Sequence, residues 1–140
     1  QVAIVPISGE LPSSGLKADL EAFLAMKGEL CVSVSVIDPV YQPINVTSTI
    51  YCKPGFGVTT VESNVRSALT AILSPTYRDA ATGLYPNKIG RSIYLADLYQ
   101  AIMQAEGVHY CVITLPTTDT ILIPTKCATL GVVTLTLLAA

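Results

Sequence analysis

The segment 44–52 most constrains the fold, because it alternates. Ile44, Val46, Ile50 and Cys52 fall on one side of an extended chain, and Asn45, Thr47, Thr49 and Tyr51 fall on the other. Successive side chains of a strand point to opposite faces, so this period marks a strand with one buried and one open face. Leu30, Val32, Val34 and Val36 alternate with Cys31, Ser33 and Ser35 in the same way, and Asp38-Pro39 separates the two runs. A sheet apolar on one face needs other elements to cover that face.

Helices suited to that purpose lie on either side. Ser13 or Ser14 can cap a helix whose Leu16, Leu20, Phe23 and Leu24 share a face at the 3.6-residue period, and Gly28 ends it. Thr59 and Glu62 have the T-x-x-E spacing of a capping box. They precede a helix with Val61, Val65, Leu69, Ile72 and Leu73 on one stripe, which Ser74-Pro75 closes. A third helix places Leu98 and Ile102 together, with Met103 read either as part of that stripe or as part of the outer face, and stops at Gly107. Further strands are expected at residues 2–7, 93–95, 108–115, 120–123 and 132–138, with a long loop over 77–88. The order β-α-β-β-α-β-α-β-β-β predicts an α+β fold: a single domain over 1–140 in which a mostly antiparallel sheet has about three helices packed on one side.

Composition then limits the function classes. Of 140 residues, 51% are apolar and only 13% are charged, where a typical soluble domain has roughly 25% charged. Something beyond a solvated surface is expected to cover such a chain. A membrane is not expected, because no window approaches the ~18 uninterrupted apolar residues of a spanning helix. Eight basic residues are scattered and the net charge is −2, which argues against nucleic acid as a partner. The start, QVAIVPISGE, has neither a signal-peptide pattern nor a methionine. A fragment of a longer chain is the expectation.

Residues able to carry chemistry are few. His109 is the single histidine. Two positions from Cys111 in a strand, it would share a face with that thiol, which makes a Cys/His nucleophile pair, and hence a small hydrolase, conceivable. A half-exposed histidine beside a packed cysteine is the favoured reading, because no third group is placed to orient the pair. Cys31, Cys52, Cys111 and Cys127 have no zinc-site spacing and are expected to be reduced, structural thiols. A secreted adhesion or carbohydrate-binding domain would instead need them as disulfides. Gly55-Phe56-Gly57 lacks the rest of a phosphate-binding motif, and Asn45-Val46-Thr47 matches the glycosylation triplet within a strand. The carboxylates fall at caps, turns and helix faces. No catalytic residue, metal site or cofactor is assigned.

The motifs also occur in a telling order. Val65-x-x-Ala68-Leu69 precedes the run Gly90-x-x-Ile93-x-Leu95-x-x-Leu98-x-x-Ala101-Ile102. Glu106-Gly107-Val108 opens a strand that Pro116 closes, and Leu130-Gly131-Val132-Val133-Thr134 forms the last one. Upstream stand Val5-Pro6, Val34 with Pro39, Ile44-x-Val46-x-x-x-Ile50 and Pro54-Gly55. Together these resemble the C-terminal part of the baseplate J-like proteins of contractile-tailed phages, over nearly the whole chain. The family tends to place a capping serine where this sequence has Ala96, and Asp97 is the expected substitute cap. The loop over 77–88 looks like an insertion.

The resemblance implies a structural role in the baseplate wedge and no enzymatic activity. It implies a homo-oligomer, either a dimer or a ring, that also contacts other wedge, hub or tail proteins. It further implies location in the virion tail after assembly in the host cytoplasm. The expected contact residues are Tyr77, Arg78 and Tyr85 in the long loop, and Tyr94, Tyr99 and Met103 on the outer face of the third helix, since tyrosine, methionine and arginine are enriched in interfaces.

Overall fold

The computed structural model describes residues 1–28 and 33–139. It contains two sheets. The larger is built on β3 (Val40–Cys52), flanked by β4 (Val108–Leu115) and β5 (Lys126–Ala139) in the order β4-β3-β5. The smaller pairs β1 (Val2–Ala3) with β2 (Val36–Ile37) in parallel, and α1 (Ser14–Lys27) lies between them in the chain. Two further helices, α2 (Val58–Leu73) and α3 (Leu95–Gln104), complete the α+β architecture.

The larger sheet is mixed, not mostly antiparallel. β3 runs antiparallel to β4 but parallel to β5, and the parallel ladder is the longer, from Val40↔Lys126 to Cys52↔Ala139. A parallel neighbour has to return by a long crossover, here the 73 residues between Cys52 and Lys126 with both α2 and α3 inside them. Such pairing leaves no hairpin signal in the sequence. Of the alternating run 30–36, the described part forms only β2 at Val36–Ile37, which pairs with β1 and not with β3. Part of that segment, including Cys31, lies outside the described residues.

The alternation of β3 is borne out. Ile44, Val46, Ile50 and Cys52 are buried, and so is Ser48, whose hydroxyl donates to the Val112 carbonyl at 3.1 Å. They meet Val61, Val65, Leu69 and Leu73 of α2 and Leu98 and Ile102 of α3 in one core. Among the described residues, α2 and α3 are the helices that pack on the larger sheet. α1 packs beside β2 instead, held by a Lys17–Asp38 ion pair at 2.9 Å and by the Val36 N–H donating to the Glu21 carboxylate at 2.7 Å.

The helix starts differ from expectation at two of three places. Ser13 caps α1 by accepting the Leu16 N–H at 3.2 Å. At α2 the expected capping box does not form: the helix begins at Val58 after extended Gly57, and Glu62 binds Arg66 one turn on at 2.8 Å. The earlier start moves Thr59 inside the helix, where its hydroxyl cannot cap. At α3, Asp97 lies within the first turn and pairs with Arg91 at 3.4 Å. The free Leu95 N–H is taken by Asp119 at 2.7 Å, from the connection between β4 and β5.

Other short strands shrink. The expected strands at 93–95 and 120–123 reduce to a single bridge, Ile93↔Thr120. β1 covers only Val2–Ala3 of the expected 2–7. Beyond α3, Gly107 has φ +89°, and a Cβ there would come within 2.8 Å of the Phe56 ring and 2.7 Å of Val61. That close approach lets the chain turn into β4 directly under α2.

Candidate functional site

The larger sheet has one covered and one open face. On the open face, Tyr51 of β3 stacks on Tyr110 of β4 with ring centroids 4.1 Å apart and planes 10° from parallel. His109 meets the Tyr110 ring edge-on at 5.7 Å. The stacked Tyr51 phenol beside it, then partial desolvation, raises the Tyr110 pKa. Around this pair the register aligns Thr47 and Thr49 with Thr134 and Thr136, and Tyr51 with Leu138. Val112, Val132 and Leu138 are exposed beside them. Lys126 is the sole charged residue of the three strands. An uncharged threonine, tyrosine and aliphatic face of this kind is suited to contact with protein.

A second uncovered surface lies on α1. Its stripe, expected as core, contributes no buried residue. Leu16 is 43%, Phe23 55% and Met26 83% exposed, while Leu20 and Leu24 are half-buried toward β2. Ile7 and Leu11 extend the exposed apolar surface into the segment before the helix. Helical periodicity shows that a stripe exists. It carries no information about what covers that stripe.

The residues expected to form contacts are accessible but do not share one surface. Tyr77 lies beside the outer face of α2, in a groove with Glu62, Arg66 and Thr70. Tyr85, half-buried, lines a groove with Val5, Pro6 and Ile7. Tyr94, Tyr99 and Met103 are exposed on α3, and the Tyr99 hydroxyl accepts the Ile113 N–H at 3.2 Å, which satisfies a donor of β4.

The loop over 77–88 is held by its own polar groups. Arg78 Nε donates to the Gly83 carbonyl at 2.8 Å. Asp79 accepts the Thr82 hydroxyl at 2.7 Å and the Ala81 N–H at 3.0 Å, which lowers its pKa below the ordinary carboxylate value. At the loop's end, buried Asn87 donates from Nδ2 to the Leu73 carbonyl at 2.8 Å and the Ala128 carbonyl at 2.7 Å. It thereby joins the end of α2 to the outer edge of β5.

The structure does not assemble the conceivable Cys/His pair. A register shift between Tyr51 and Cys52 leaves His109 between two paired positions, so the simple two-residue periodicity fails there. His109 is exposed, whereas Cys111 is in the core at 7% exposure. Burial raises the Cys111 and Cys127 pKa values, the reverse of what activates a thiol nucleophile. Cys52, Cys111 and Cys127 are buried and unbridged. Among the described residues, no group of three or more His, Cys, Asp or Glu side chains is placed to hold a metal ion, and no helix is long and apolar enough to cross a membrane. Asn45 of the glycosylation triplet uses its side-chain oxygen to accept the Val132 N–H at 2.9 Å, within the irregularity of the β3–β5 ladder.

Comparison with family models finds no match, and comparison with curated proteins finds none either.

Proposed function

We propose that this chain is a structural component of a contractile-tail baseplate wedge, joined to copies of itself and to neighbouring baseplate proteins. The observation that carries an assembly role is the exposure of α1: a helix bearing Leu16, Phe23 and Met26 that buries none of its residues has surface suited to being covered by protein. The open, nearly uncharged face of the larger sheet supports the same reading, since permanent interfaces resemble a core cut in two. The baseplate itself comes from the ordered motifs that resemble the baseplate J-like proteins, a resemblance that rests on sequence alone. In this reading the unit over residues 90–116, in which α3 leads through Gly107 into β4, is a packing module whose outer side docks.

Contractile tail particles purified from the source cells test the proposal. Mass spectrometry of their baseplate fraction is expected to detect this chain in fixed ratio to the other baseplate proteins. Its absence from intact particles would overturn the reading.

A further inference from the structure

The free edge of β5 divides into two halves. Over the first half, neighbouring groups occupy the outward backbone: Gly90 N–H donates to the Lys126 carbonyl at 2.7 Å, and Asn87 donates to the Ala128 carbonyl. The ladder irregularity between Ile44 and Val46 inserts an extra residue in β5, pairing Ile44 with Leu130 but Val46 with Val133. Alternation therefore changes phase. Val132 turns its N–H toward Asn45 of β3, and Val133 turns its carbonyl outward to Arg66 at 3.3 Å. Beyond this point Leu135 and Leu137 share the outward phase of Val133. Among the described residues, no bond from outside the sheet reaches the strand past Val133.

Such an edge invites pairing with another strand, and proteins usually blunt it with a lysine, a proline or a bulge. The segment 132–138, VVTLTLL, contains neither charge nor proline. It also reads nearly the same in both directions. About Leu135 as centre, Thr134 mirrors Thr136, Val133 mirrors Leu137 and Val132 mirrors Leu138.

We infer that β5 pairs antiparallel with β5 of a second copy across a twofold axis at Leu135, joining two three-stranded sheets into one of six strands. This rests on the self-association proposed above and names its surface. Two independent features select the occupant and the register. A twofold interface must be self-complementary, and this register sets aliphatic residues against aliphatic and threonine against threonine on the open face. The backbone phase agrees with it: Val133 faces Leu137 of the other copy, and Leu135 faces its own counterpart, so the outward-pointing residues meet each other. Each such pair exchanges two hydrogen bonds. The long Arg66–Val133 bond is given up, and Arg66 keeps both of its hydrogen bonds to Glu62.

Sedimentation of the wild-type chain, Thr136→Lys, Thr134→Glu and an equimolar mixture of the two variants tests the pairing, with circular dichroism to confirm folding. Both threonines are exposed, so neither change disturbs the core. The wild type is expected to form dimers, and Thr136→Lys to weaken them about tenfold or more by placing two like charges beside the axis. In the mixture the lysine introduced at position 136 of one copy faces the glutamate introduced at position 134 of the other, and dimers are expected to return. Dimers that neither variant weakens would overturn the β5 surface and leave self-association standing. A wild type that stays monomeric at every concentration would overturn both.

Discussion

Asp119 accepts the backbone N–H of Leu95 at 2.7 Å and so caps α3 from 24 residues further along the chain. The first N–H groups of a helix have no partner inside it, and Tyr94 at the N-cap position makes no side-chain cap. Replacing Asp119 with Ala is expected to cost about 0.5–2 kcal/mol, and Asp119→Asn, which keeps an acceptor oxygen, distinctly less. Urea denaturation of the two variants reads the difference. Equal stability of wild type and Asp119→Ala would show that water replaces the cap without loss.

That contact illustrates what is and is not legible in the sequence. The alternation in 44–52 and the stripe from Val61 to Leu73 are local patterns, and both occur where the sequence places them. The cap of α3 is not local, and Asp97, the nearest acid, does not supply it. The parallel partnership of β3 and β5 is hidden for the same reason, since nothing in either strand encodes the direction of its neighbour. At His109 a one-residue irregularity defeats the face assignment, because period two holds only while the ladder is regular. The α1 stripe is apolar, as its spacing indicates, yet it does not join the core. Apolar spacing is the same whether the cover is this chain or another.

Asn87 should matter more to stability than any other loop residue. Its amide holds two carbonyls, that of Leu73 at the end of α2 and that of Ala128 at the edge of β5, the second of which otherwise receives only the Cys127 thiol at 3.7 Å. Asn87→Ala is expected to cost about 1–3 kcal/mol. Asn87→Asp, which offers a carboxylate to the same carbonyls, is expected to cost more. Thermal melts ordered the other way would mean that packing, not hydrogen bonding, is what Asn87 supplies.

The buried thiols predict a pH dependence with a definite sign. Burial raises the folded pKa values of Cys111 and Cys127, so above about pH 8.5 the unfolded chain loses its thiol protons before the folded one does. Their contribution is therefore fully present below that pH and declines as pH rises toward the folded values. The stability of a Cys111→Ala, Cys127→Ala double variant, lower at neutral pH, is expected to fall less steeply between about pH 8 and pH 10 than that of the wild type. Rapid reaction of these thiols with a disulfide reagent in the native state at neutral pH would contradict their burial.

Asp79 gives an acid-side counterpart. The Thr82 hydroxyl, then the Ala81 N–H, hold its pKa below the ordinary value. The loop order it supports is present above the unfolded carboxylate pKa and lost as pH falls through the lower folded one. Thr82→Val is expected to move the Asp79 titration, followed by NMR, upward toward the ordinary value. An unchanged midpoint would mean that the hydroxyl does not hold the carboxylate in solution.

Two helices with similar apolar stripes should respond oppositely to substitution. Leu69 of α2 is fully buried in the core between sheet and helices, and Leu69→Ala is expected to cost about 2–5 kcal/mol, the transfer term plus a cavity. Phe23 of α1 is 55% exposed in the isolated chain, so Phe23→Gln is expected to change stability by no more than about 0.5–1 kcal/mol. The same change should impair incorporation into tail particles if α1 is covered by a neighbour in the assembly. Paired measurements of melting temperature and particle incorporation separate the cases: a Phe23→Gln chain that melts normally but stays out of particles supports the covered-helix reading. One that assembles as well as the wild type removes α1 from the interface.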